Sequence, residues 1–154
     1  MTIMGENTKD VIVIKTTNSA NAVSEWFEQF GRCVASVNYQ AARSIYAEDV
    51  VSFGTKAEIV SGIDLLQKNQ WEGIWPNIRD FKYDMEQIHS SGDGTFACGI
   101  TTWRSTGFDE NGKSFLRPGR VTMFLENRVG RWLAVHTHHS LFPGIPQRTF
   151  GPKR

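Results

Sequence analysis

Arg120, His136, His138 and His139, late in the chain, carry much of what could be chemistry in this sequence. Arg120 opens the run RVTMFLE, and the histidines fall in AVHTHHS. A tight turn at Asn127–Gly130 joins the two runs. Both read as strands, Arg120–Glu126 and Arg131–Ser140, that mix large apolar side chains with groups costly to bury. Strand side chains alternate between faces, so each run can put apolar bulk on one side and polar groups on the other. A sheet that points arginine and histidine into an aromatic-lined concavity is a ligand site. A buried arginine cannot shed its proton. It therefore needs an anion, supplied either by an Asp or Glu of the chain or by a ligand carboxylate or phosphate held bidentately.

Other chemistries have less to stand on. His136 and His138, two apart, share a strand face, but no carboxylate or cysteine lies near enough in sequence to complete a metal set. The H-x-H spacing alone is a weak signal, and no metal is expected. Parity puts His139 with Thr137 and Val135, opposite His138, and a β-bulge would reverse that. Cys98 in FACGI sits mid-strand among small and apolar residues, the setting of an inert thiol rather than a nucleophile. Glu48 and Asp49 follow the second helix, where capping or solvation is the ordinary role. No cofactor is expected.

The 154 residues suit one domain with a real core, at 40% hydrophobic residues and five tryptophans. Net charge is +1 and the basic residues are scattered, so neither nucleic acid nor a membrane surface is expected as a partner. Val11–Ile14 is too short for a signal or a membrane span. Cys33 and Cys98 then read as free thiols of a soluble, cytoplasmic protein.

Those groups must be positioned by elements legible in the periodicity. Residues 1–18 form an extension whose β-branched VIVIKTT either adds a strand or reaches a partner chain. Ser19 or Asn21 caps a first helix in which Val23, Trp26, Phe27, Phe30, Val34 and Val37 recur at helical spacing. Asn38 caps a short second helix ending near Ala47. Val50–Phe53 and Ala57–Val60 are short strands. Gly62 starts a third helix that Pro76 closes, with Gln67, Trp71 and Trp75 on one face, packing on a sheet. Phe81, Tyr83 and Met85 alternate with charged residues as a half-exposed strand. Turns at Ser91–Gly94 and Asp109–Gly112 bracket a strand Thr95–Thr106, and Pro118 marks the irregular start of the next. Residues 19–143 form the domain and 144–154 a tail. Helices first and a meander after imply an α+β domain.

The helix followed by IYAEDVVSF, the glycine-led third helix and the ending GRWLAVHTHHSLFP resemble the nuclear transport factor 2-like, SnoaL-like (ketosteroid-isomerase-like) superfamily over about residues 22–143. WEGIW, ACGITTWRST, GRVTMF and the His-x-His ending make the chain similar, within it, to the association domain of calcium/calmodulin-dependent protein kinase II. The resemblance implies a cystatin-like cone, a strongly bent, mostly antiparallel sheet wrapped around the three helices with a deep pocket. It also implies a homodimer or larger homo-oligomer through the sheet face. The isomerase residues do not carry over: the base position falls at or beside Gly54, the tyrosine near Phe30 and the late aspartate near Gly119 or Arg120. From the association domains, Arg104 and Arg120 would hold the anion and Trp75 would line the pocket, with His139 at a third arginine's position. Phe53 adds apolar contact, and His138 or His139 tunes polarity. The alternative for the two arginines is pairing with Glu126, Glu86 or Glu48. Three functions follow: a domain binding a small, carboxylate-bearing ligand; a cofactor-independent isomerase, dehydratase or cyclase with histidine as acid–base; or a homo-oligomerisation module.

Overall fold

The computed structural model describes residues 10–153. Helix α1 spans Ser19–Ser36 and is capped by Asn18 rather than by the expected Ser19 or Asn21; the Asn18 side-chain oxygen accepts from the Asn21 amide at 3.0 Å. Its apolar stripe, Val23, Trp26, Phe27, Phe30 and Val34, is buried as the spacing predicts. Val37 ends the helix in the left-handed conformation (φ 54). Asn38 caps the short α2, Tyr39–Arg43. From Tyr46 the chain is strand β1, Tyr46–Phe53, longer than the expected Val50–Phe53. The Trp26 indole N–H ties α1 to its start by donating to the Ile45 carbonyl at 2.9 Å.

After the two-residue β2, Val60–Ser61, the third helical run α3 begins at Ile63–Leu66. It passes through a π-helical turn, Gln67–Trp71, resumes over Glu72–Ile74 and closes in a 3-10 turn, Trp75–Asn77. The strands β3 (Arg79–Tyr83), β4 (His89–Gly92), β5 (Phe96–Phe108), β6 (Ser114–Arg128) and β7 (Arg131–Leu141) complete the chain's regular elements.

The sheet corrects the expected cone. Its order is β2-β1-β7-β6-β5-β3, with β4 also on β5, and β1 runs parallel to β7. It is therefore an open, mixed seven-stranded sheet, neither closed nor strongly curled. Strong curling needs repeated bulges or kinks along the long strands. The β5–β6 ladder instead keeps one register from Phe96 opposite Glu126 to Phe108 opposite Ser114. α1 packs on β3, β4 and β5, and α3 on β1, so one sheet face is covered and the core lies beneath it.

Both chain ends seen here return to the domain. Ile14 is buried and its carbonyl accepts from the Trp132 amide at 3.0 Å. The Trp132 indole donates to the Thr16 carbonyl at 2.7 Å. The first half of the expected extension, residues 1–9, lies outside the described residues.

Candidate functional site

Between α1, α3 and the covered sheet face lies a cavity of about 40 Å³. Its walls are aromatic because α1 and α3 each turn aromatic residues toward the sheet: Phe30 from α1, Trp71 and Trp75 from α3, Phe81 and Trp103 from the strands. Trp71 and Trp75 stack at 4.7 Å between centroids, 21° apart. The π-helical turn buries two consecutive residues, Gln70 and Trp71, so a polar group reaches the cavity beside the indole.

The charge in this cavity is Arg117 on β6. Its side chain is enclosed, 1% of the residue being exposed, and its guanidinium carbon lies 5.5 Å from the Trp103 ring centroid. Nη2 donates to Thr55 Oγ1 at 3.1 Å, while the buried Nε has no partner. Among the described residues Arg117 takes part in no ion pair. Burial pulls its pKa from 12.5 down to about 10, which still leaves it charged at neutral pH.

Thr55 sits in the loop after β1, and its position is determined by its neighbours. Gln70 Oε1 accepts from the amides of Lys56 and Ala57, each at 2.8 Å, which fixes the orientation of the amide group. Gln70 Nε2 therefore donates to Thr55 Oγ1, at 2.9 Å. With Arg117 as second donor, the hydroxyl oxygen has accepted twice and its own hydrogen remains to be given. Gly54 permits this, since a Cβ there would collide with the Gln70 side chain. Arg117, with its Nε unpartnered, and Thr55, with its hydroxyl hydrogen still to give, both line the cavity, an arrangement suited to an oxyanion.

His139 on β7 also lines the cavity, and its Nε2 lies 2.6 Å from the Tyr83 hydroxyl. Burial, and secondarily the charge of His138, lowers the His139 pKa to about 3, so the imidazole is neutral. Burial also raises the Tyr83 phenol well above its ordinary range. Thr137 links Tyr46 and Ser52 nearby, at 3.2 and 2.7 Å.

Of the residues expected at a site, the cavity brings together Trp75, Phe53 and His139. The Phe53 ring itself meets His136 and His138 edge-on, at 5.3 and 5.0 Å. His138 is exposed. Arg104 and Arg120 do not reach the cavity; both are exposed, and Arg120 Nε donates to Ser140 Oγ at 3.1 Å. Alternation is the reason: Trp103 and Ser105 face inward on β5, as do Gly119 and Val121 on β6, so the arginines between or beside them face out. Neither pairs with a carboxylate among the described residues; Glu126 is taken by Arg128 at 2.8 Å. Arg117 was missed, although it shares the parity of Val121, Met123 and Leu125, and an arginine in register with core residues is a signal in itself.

No three His, Cys, Asp or Glu among the described residues come together to hold a metal ion. No described helix is long and apolar enough to cross a membrane. Cys33 and Cys98 are unpaired, and burial pushes the Cys33 thiol up to about 11.

The family model described as SnoaL-like domain matches residues 23–144. Among solved structures, the chain is similar to a Xanthomonas campestris protein provisionally assigned as a calcium/calmodulin-dependent protein kinase II association domain. The identity is 21%, over 93% of this chain and 100% of that one, with a TM-score of 0.69. The C. elegans association domain of that kinase gives 13%, 79% and 94%, with 0.62. A ketosteroid isomerase-like protein from Erwinia carotovora atroseptica gives 14%, 78% and 93%, with 0.68. At these identities the likeness concerns the fold alone. No curated protein matches the chain.

Proposed function

The chain belongs to the SnoaL-like domain family, and from that premise we propose that it binds a small carboxylate in the aromatic cavity, anchored by Arg117. The single observation behind this reading is a buried guanidinium with an unpartnered Nε and no counter-charge among the described residues. Thr55 adds a second donor, and the indole and phenyl walls suit a short apolar body. Drug-sized ligands occupy pockets of roughly 300–1,000 Å³. The cavity of about 40 Å³ matches a ligand of about three or four heavy atoms, on the scale of a few waters. A chemical-shift titration with acetate should therefore saturate in the wild type and weaken at least tenfold in Arg117→Met. No saturation, or an unchanged Arg117→Met, would overturn the reading.

A second reading adds catalysis at the same site, and the Tyr83–His139 contact favours it. A neutral imidazole in hydrogen-bond contact with a phenol is equipped to take a proton from carbon beside a bound carboxylate and return it elsewhere. An anion seated next to His139 raises its proton affinity from the low value of the empty cavity. The relatives of this fold include a protein described as ketosteroid isomerase-like, and the reaction class is that of a cofactor-independent isomerase, dehydratase or cyclase. Acetate in deuterium oxide, of the size the cavity admits, is the test: His139→Asn should abolish any protein-dependent exchange of its methyl protons. If the wild type exchanges none above background, proton abstraction beside the bound carboxylate is excluded and binding stands alone.

A further inference from the structure

The segment after β7 does not trail away from the domain. Thr149 is buried; its Oγ1 donates to the Asn77 carbonyl at 2.6 Å and accepts from the Phe108 amide at 2.9 Å. The Phe150 amide donates to the Phe108 carbonyl at 2.8 Å. Gly151, at φ 87, lies so close to Asn77 that a Cβ would come within 2.8 Å of its side-chain oxygen. One hydroxyl thus pins the segment both to the end of α3 and to the end of β5. Two residues before it, Gln147 Nε2 donates to the Thr55 carbonyl at 2.9 Å.

Thr55 is the residue whose hydroxyl receives Arg117 and Gln70. Its loop is therefore held from three directions, by β6 through Arg117, by α3 through Gln70, and by the terminal segment through Gln147. We propose that Gln147–Gly151 is a strap that sets the geometry of the anion site by holding Thr55, with Gln147 and Thr149 as positioning residues that do not touch the ligand. The inference rests on the carboxylate reading for its function, but the mechanical coupling is independent of any ligand. Its physical basis is that a loop with few contacts of its own opens locally unless tied down, and Arg117 has one protein partner for its guanidinium, on that loop.

The experiment is amide hydrogen exchange at Lys56 and Ala57, whose N–H groups report the Gln70 lock directly. In Thr149→Val, which keeps the shape and loses both hydrogen bonds, these two amides should exchange about fivefold faster or more, the effect of one to two net hydrogen bonds. Thr149→Ser should restore the wild-type rate. The Asn127 amide, bonded to the Thr95 carbonyl, should be unaffected. Gln147→Ala, at an exposed position, is the second variant should Thr149→Val fold poorly, and should show the same local acceleration. Acetate affinity should fall several-fold in both variants, and neither should weaken it further on an Arg117→Met background. Unchanged exchange at Lys56 and Ala57 in both variants overturns the strap. Accelerated exchange in protein that binds no acetate leaves the strap standing and removes the carboxylate reading.

Discussion

A guanidinium enclosed without a counter-charge is held against its preference for water, and that sets the sign of a mutational effect. Removing one partner of a buried ion pair usually destabilises, because it strands the other charge. Arg117 has no such partner among the described residues, so Arg117→Met should leave the fold as stable as the wild type, or more stable by about 1–4 kcal/mol. The same variant should bind acetate at least tenfold more weakly. Thermal melts beside the titration check both, and a large loss of stability would mean that Thr55 alone compensates the charge. His139 gives the opposite pH signature from a salt-bridged histidine. Its folded pKa, about 3, lies below the ordinary 6.5, so the unfolded chain binds a proton that the folded one refuses. Its contribution to stability is complete above pH 6.5 and is lost as pH falls toward 3. Melting points of the wild type should drop more steeply between pH 6.5 and 4 than those of His139→Asn, and parallel curves would show that the imidazole protonates in the folded state. Arg117 was legible in principle from its parity with Val121 and Met123, whereas His139 was named for the site only through the resemblance. The resemblance drew attention to Arg120 instead of Arg117.

His139 faces the cavity only because β7 is irregular. Ala134 pairs with Leu125 and His136 with Phe124, which leaves Val135 as an extra residue on β7. Before this bulge Trp132 and Ala134 are buried; after it Thr137 is buried and His139 lines the cavity. A strand without the bulge would continue the even-numbered parity and turn His136 and His138 inward. Deleting Val135 alone removes the extra residue and keeps His136 opposite Phe124, so Thr137 and His139 should stay inward. Deleting Val135 and His136 together shifts the parity by one and should break the Tyr46–Thr137–Ser52 network, costing about 3 kcal/mol or more. Urea denaturation of the two variants compares them, and equal losses would show that the parity of β7 does not hold the network. No residue-type signal marks such a bulge, so alternation alone left the inward histidine open. The amphipathic α1 and the Asn38 cap of α2 were legible because each is a local pattern. The parallel pairing of β1 with β7 was not, since it joins residues some 85 positions apart, Val51 with His136 among them. The open form of the sheet was missed for a similar reason. It depends on where the bulges fall, and while the β6–β7 ladder carries one, the long central β5–β6 ladder carries none.

At the scale of the molecule, the sheet has one face under helices and one without. On the uncovered face of β5 and β6, Phe96, Ile100 and Phe124 are 50%, 47% and 42% exposed. They are close neighbours, since Phe124 pairs with Cys98 and Ile100 with Thr122 across the ladder. His136 continues the patch, its ring 5.9 Å from that of Phe124 and 5.3 Å from that of Phe53. Contiguous aromatic and aliphatic surface of this kind, rimmed by polar residues, is characteristic of association sites rather than of free surface. We propose that two copies of the chain meet through it, a homodimer or larger homo-oligomer being what the family resemblance implies, and this reading is independent of the cavity. Phe124→Glu places a charge at the centre of the patch while leaving the buried side of β6, Val121, Met123 and Leu125, untouched. Sedimentation of the wild type at micromolar concentration should give at least twice the chain mass, and Phe124→Glu should give the single-chain mass with an unchanged circular dichroism spectrum. Acetate binding should persist in the dissociated variant, because no cavity residue lies on the patch except Phe53 at its edge. A wild type that sediments as one chain would remove the association reading and leave the carboxylate site unaffected.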